Sequence, residues 1–203
     1  LRLPLPCPLD EGRGLHLFTG ASECCAVALC ASLGVLRKGG RVHLVDGAGI
    51  ADPYLVARFA HLIGTDPAEV LRALRVRRVL TSLDAGRVVL EALEEASAAR
   101  CVVVAGAARA VGGECSREGM RWPHRLVAAL ERVARKIPVV VAEPAAPSGP
   151  VADWIRAVRA MAQEVFEVGG GPEGIRVLWV REGKTVPLDL PHPIREALRW
   201  VTR

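Results

Sequence analysis

Two short runs constrain this chain more than any other feature: CVVVA at Cys101–Ala105 and IPVVVA at Ile137–Ala142. Both lack the apolar-polar alternation of a half-exposed strand. Such strands need cover on both faces, as the central strands of a parallel sheet have, with Pro138 tolerated because it sits at a strand start. Between and around these runs the spacing becomes helical. Leu55, Val56, Phe59, Ala60, Leu62 and Ile63 mark one helix, Leu126, Val127, Leu130, Val133 and Ala134 a second, and Trp154, Ile155, Val158 and Met161 a third. An apolar helix is expected from about Cys24 to Leu36 and another over about 85–98. Asp66-Pro67 with Glu69 spells a helix start: a side-chain cap, a proline in the first turn and an early carboxylate. Further strands are expected at Leu15–Phe18, Arg41–Val45, Arg75–Leu80, Glu164–Val168 and Gly174–Arg181, the last turning at Glu182-Gly183 into Thr185–Leu188. Alternating strands and helices predict an α/β fold: a mostly parallel central sheet flanked by helices, with a strand-rich C-terminal end. The length of 203 residues suits one domain over 1–203, with the Pro-rich, aperiodic residues 1–13 as an irregular lead-in.

Composition narrows the function classes. With 51% hydrophobic and 24% charged residues, the chain is neither disordered nor fibrous. The longest uncharged stretch, Cys24 to Leu36, is too short to cross a bilayer, and no basic-then-apolar leader opens the chain. A soluble cytoplasmic protein is expected. All but Lys38, Lys136 and Lys184 of the 27 basic residues are Arg, Asn is absent and Gln163 is the only Gln, a bias that suits a thermophile or a GC-rich genome. A net charge of +5 admits an acidic partner such as nucleic acid. Cys7, Cys24, Cys25, Cys30, Cys101 and Cys115 form no CxxC pair and no zinc spacing, so reduced thiols and no metal are expected. His16, His43 and His61 read as packed histidines and Trp154 and Trp179 as core, while Trp200, in a short Arg-bearing C-terminal helix over Pro193–Arg203, reads as core or as a docking surface.

The strand, Gly-containing turn and apolar helix over residues 15–36 have the frame of a phosphate-binding loop. Such a loop uses glycine so that backbone amides approach phosphates, a Lys for the terminal phosphates and a Ser or Thr for magnesium. Here Gly20 stands, while Cys25, Ala26 and Val27 occupy the Gly-Lys-Thr positions, and no Lys precedes Lys38.

The following segment is more specific. Val42-His-Leu-Val-Asp46-Gly-Ala48-Gly is followed by Pro53, then by Phe59-Ala-His-Leu-Ile-Gly64-Thr-Asp66-Pro67-Ala-Glu69-Val70-Leu71 and by Val76-Arg-Arg78-Val-Leu-Thr81-Ser82. In this order and spacing the chain resembles the archaeal and eukaryotic branch of the RecA/RadA recombinase family. The similarity is unbroken from about 41 to 84, and the order of elements extends it from 9 to about 142. It implies a RecA-like, P-loop-NTPase-type fold.

For the chemistry, the resemblance implies loss. The family hydrolyses ATP with a P-loop Lys and Thr, a glutamate that orients the attacking water, and an Asp that holds magnesium. The matching positions here are Ala26, Val27, Ala48 and Ala105, while Asp46 of the strand-end motif remains as a vestige and Ala142-Glu143-Pro144 meets the polar sensing position. No cofactor and no catalytic residue are therefore expected, and the chain reads as no enzyme. The family's first DNA-binding loop corresponds to residues 107–125, where Arg109, Arg117, Arg121 and Arg125 with glycines and Trp122 suit a single-stranded backbone. The second corresponds to Glu143–Val151, which has no Lys or Arg. The expectation is a RecA/RadA-like pseudo-ATPase serving DNA recombination or repair, with single-stranded DNA and a recombinase or other repair protein as partners. Two alternatives stay open: an interaction module unrelated to nucleic acid, and an ATPase with an unconventional P-loop around Gly20–Cys25.

Overall fold

A computed structural model of the chain describes residues 9, 13–108, 122–146, 148–170, 175–181, 183–188, 190 and 192–198. Among them, eight strands form one sheet: β1 (Gly14–Gly20), β2 (Val42–Asp46), β3 (Leu74–Arg78), β4 (Cys101–Ala105), β5 (Pro138–Pro144), β6 (Glu164–Gly169), β7 (Arg176–Arg181) and β8 (Lys184–Leu188). Their spatial order is β3-β2-β4-β5-β1-β6-β7-β8. The first six run parallel, and β7 and β8 add an antiparallel edge. This is the expected α/β architecture, including its strand-rich C-terminal end.

The two apolar runs lie side by side as β4 and β5, with Val103 opposite Val140 and Ala105 opposite Ala142. Side chains alternate across the sheet, so each strand feeds two cores. Phe18, Leu44, Val103, Val140 and Phe166 point to one face, which is covered by α1 (Cys24–Leu33), α2 (Pro53–Leu62) and α7 (His192–Leu198). Leu17, Val45, Val104, Val141 and Val165 point to the other, under α4 (Ser82–Glu94), α5 (Trp122–Ala134) and α6 (Pro150–Met161). Helix α1 is buried along its whole length, which is why it carries no polar face. The remaining helix, α3 (Pro67–Ala73), starts as expected: Asp66 accepts the Ala68 N–H at 3.0 Å ahead of Pro67. Asp52 does the same for Tyr54 ahead of Pro53.

Several boundaries differ from the sequence reading. The apolar helix ends at Leu33 and tightens into a 3-10 segment, Gly34–Lys38. The helix expected over 85–98 starts earlier, at Ser82, because the Thr81 hydroxyl accepts the Asp84 N–H. Strand β5 continues past Ala142 through Glu143 to Pro144. His61 is exposed on α2 rather than packed, and Trp179 is only partly buried. Cys7, Cys115 and Trp200 lie outside the described residues; Cys24, Cys25, Cys30 and Cys101 are buried free thiols. No described helix is long and apolar enough to cross a membrane.

On the α1 face a polar pair sits beside an aromatic row. Phe18 stacks on Phe166 with ring centroids 4.4 Å apart, and Phe166 on Trp179 at 6.5 Å. One pleat away, His16 Nδ1 lies 3.1 Å from Glu164 Oε2. Burial pushes the His16 imidazole down to about 4 despite that carboxylate. Charging the ring would also place a proton on Nε2, which has no hydrogen-bond partner among the described residues. The unfolded chain therefore takes up a proton near pH 6.5 that the folded one refuses until about 4. The neutral His16 contributes its stability in full above pH 6.5, and that contribution is lost as the pH falls toward 4. Urea midpoints of the protein and of H16Q should diverge above pH 6.5 and converge through this window; parallel profiles would contradict the assignment.

Candidate strand-end crevice

In a parallel sheet, loops at the carboxyl ends of the strands carry binding groups, and a crevice opens where adjacent connections leave on opposite faces. Strands β1 and β5 meet this condition. The chain leaves β1 to α1 on one face, and after β5 it reaches α6 on the other. The register aligns Asp46 with Ala105, Ala105 with Ala142, Thr19 with Glu143 and Gly20 with Pro144. Gly20, Asp46 and Ala105, set far apart in sequence, thus share one end of the sheet.

The β1–α1 turn is closely packed. Gly20 has φ +123°, and a Cβ there would collide with the Val168 carbonyl of β6. Ala21 N–H donates to Val168 O at 2.7 Å, and Cys24 N–H to Ala21 O at 3.0 Å. Cys25 Sγ donates to Ala142 O at 3.4 Å and ties the head of α1 to the end of β5. Cys25, Ala26 and Val27 are all buried. Ala48 packs against the exit of β4: a Cβ at Gly106, which has φ +65°, would lie 2.7 Å from the Ala48 Cβ.

Two buried carboxylates stand at this end, and both hold backbone. Asp46 Oδ1 accepts the Ile50 N–H at 2.9 Å and Oδ2 the Ala51 N–H at 3.0 Å, which fixes the loop from β2 to α2. Arg78, more than half exposed, brings Nε to 3.7 Å from Oδ2. Glu143, fully buried, accepts the Ala108 N–H at 2.8 Å through Oε1 and so sets how the chain leaves β4. Sequence reasoning treated Glu143 as a replaced sensing residue; its signal was a charged residue ending an apolar strand. Beside it, the buried Thr19 hydroxyl has no partner among the described residues. A cavity of about 460 Å³ opens here between α6 and the ends of β1 and β6. Its Arg156 pairs with Asp153 and its Arg159 with Glu167.

Of the expected DNA-contacting residues, Arg125 is exposed on α5, while Arg109, Arg117 and Arg121 lie outside the described residues. Among the described residues no three His, Cys, Asp or Glu side chains cluster to hold a metal. Ala26, Val27 and Ala105 offer no cation and no oxygen ligand, and both Asp46 oxygens are engaged by backbone amides. These residues do not fit a magnesium-bound triphosphate held in the conventional way, so no step is derived through one. D46A should cost about 2–4 kcal/mol in urea denaturation, since one buried and one part-buried amide lose their acceptor. D46N, which keeps one acceptor oxygen, should fall between; a D46A cost below about 0.5 kcal/mol, the range of neutral surface changes, would contradict the capping role.

No protein-family model matches the chain, and no curated protein matches it. Among solved structures, the chain is similar to one described as the RadB recombinase, with a TM-score of 0.66 and 19% identity over 89% of this chain and 90% of that one. This corrects the expectation that the chain is no enzyme. The fold is shared with a recombinase, and nothing here demonstrates lost activity. Substituted side chains exclude one way of holding a nucleotide; they leave the strand-end frame standing. The fold is RecA-like, with a mostly parallel sheet between two helical layers.

Proposed function

We propose that the chain is an accessory RecA-fold protein of DNA recombination or repair. The observation that carries this reading is the fold itself: a RecA-like sheet whose similarity to the RadB recombinase structure extends over nearly the whole chain. In this reading the segment after β4 contacts single-stranded DNA through Arg109, Arg117, Arg121 and Arg125. Guanidinium groups neutralise phosphates without reading sequence, and the aromatic Trp122 suits base stacking.

Docking on another RecA-fold protein is the second part of the role. It is supported by β3, an edge strand with no neighbour on its outer side among the described residues. An open edge offers backbone donors and acceptors to an incoming strand. Val76 on β3 is 40% exposed and Leu80 just beyond it 82% exposed, so the edge also offers apolar contacts. The role is compatible with nucleotide turnover and does not require it.

Binding of a fluorescein-labelled single strand, followed by anisotropy at rising salt, tests the DNA part. Affinity should fall steeply, and alanine at Arg109, Arg117 and Arg121 together should reduce the log–log slope by about 2, at roughly 0.7 per lost phosphate contact. No binding at low ionic strength would remove DNA from the reading. Nuclease-resistant capture of a recombinase supports the docking part, and capture that disappears with nuclease contradicts it. Millimolar ATP with magnesium raises the melting temperature if nucleotide binds; a flat response takes nucleotide out of the account.

A further inference from the structure

We propose that the exposed line formed by Arg125 and Arg132 of α5 and by Lys136 in the turn that follows it is a track for a nucleic-acid backbone, leading from the strand-end crevice toward the opposite pole of the sheet. Helix α5 buries Leu126, Ala129, Leu130 and Val133 against the sheet and turns its other side outward. At 3.6 residues per turn, positions 125 and 132 of α5 fall within about 20° of each other, and Lys136 follows two residues past the helix end. All three side chains are exposed. Lys136 sits in the closing turn, where its N–H donates to Val133 O at 2.8 Å.

Among the described residues the line carries no ion pair, unlike cations on the neighbouring helices. On α4, Arg87 pairs with Asp84 and Glu91; on α6, Arg156 pairs with Asp153 and Arg159 with Glu167. Just past α5, Arg135 pairs back with Glu131 on that helix. Arg125, Arg132 and Lys136 have no ion pair or side-chain hydrogen bond among the described residues. Arg132 and Lys136 also line one cleft of about 440 Å³ between the ends of α4 and α5, with Leu93 and Ile137 in its apolar lining and Glu94 as its one carboxylate. A second cleft, of about 480 Å³, flanks the same helix end and is lined by Arg13 and Arg135 with Glu131.

Cations in a last helical turn also favour the helix dipole, but that accounts for neither Arg125, in the first turns, nor the clefts. Cations spaced along one helix line match a ligand with regularly repeated negative charge. The rise from 125 to 132 along α5 is about 10 Å, a length over which B-form geometry places about three phosphates per strand. The line begins at Arg125, a residue already assigned to the single-strand surface, and this continuity favours a phosphodiester backbone over an acidic protein segment. The ligand's identity rests on the proposed function; the unneutralised surface does not.

The test uses the whole chain, a 30-base single strand and the matching duplex, both fluorescein-labelled, over about 50 to 200 mM salt. The double variant R132A/K136A should lower the log–log salt slope by about 1.4 for the single strand and about 1.8 for the duplex, with a melting temperature close to that of the parent. A purely structural role would shift melting and leave the slope unchanged. An unchanged slope in R132A/K136A, with a lowered one in the Arg109, Arg117 and Arg121 variant, overturns the track and leaves the proposed function standing. A lowered slope in R132A/K136A alone supports the track and counts against the segment after β4. Competition by polyglutamate as effective as by DNA assigns the surface to an acidic protein and overturns the nucleic-acid track. No binding by the parent chain overturns both.

Discussion

Complete burial of β4, β5 and β1 on both faces is the constraint from which the rest of the structure follows. Val103, Val104, Val140, Val141 and Leu17 are all fully enclosed, so no chemistry can be hosted along these strands. Helices must lie on both sides, and apart from the buried His16–Glu164 pair the polar groups sit mostly at the strand ends and helix surfaces. The connections from β1 and β5 then depart on opposite faces and open the crevice.

What fills that crevice is unusual for a strand-end site. Its carboxylates are used as clasps: Asp46 holds the β2–α2 loop, and Glu143 holds the departure of the chain from β4. The turn beyond Gly20 is drawn against Val168, and Cys25 is bonded to Ala142 O. Packing around the β1–α1 turn is protein against protein, while the cavity between α6 and the ends of β1 and β6 stays open beside it. Arg125 and Arg132 of α5, with Lys136 just past its end, are exposed cations outside the crevice. Such a division between a rigid slab and an Arg-bearing surface suits contacts that track a backbone rather than grip a small molecule.

Much of the architecture was legible because it rests on local pattern. CVVVA and IPVVVA can only be strands covered twice, and Asp66-Pro67 caps α3 by contacts two residues away. The less legible features depend on partners distant in sequence. Glu143 meets an amide at Ala108, 35 residues earlier, so β5 could not be seen to run past Ala142. Asp46 looked like the remnant of a motif, because its real partners, the amides of Ile50 and Ala51, carry no side-chain signature. His61 was read as packed yet faces outward, because it lies between the stripe positions Ala60 and Leu62 rather than on the covered side. The inference from missing motif residues to missing activity failed for a related reason: a substitution describes one side chain, while the frame around it persists.

Hydrogen–deuterium exchange with and without single-stranded DNA tests the account most directly, because it reads the whole chain at once. DNA should protect amides over residues 107–125 and along α5, while β4 and β5 stay slow in both states and β8 is unchanged. Protection centred on the β7–β8 hairpin, or none over 107–125 and α5 under conditions where DNA is bound, would contradict it.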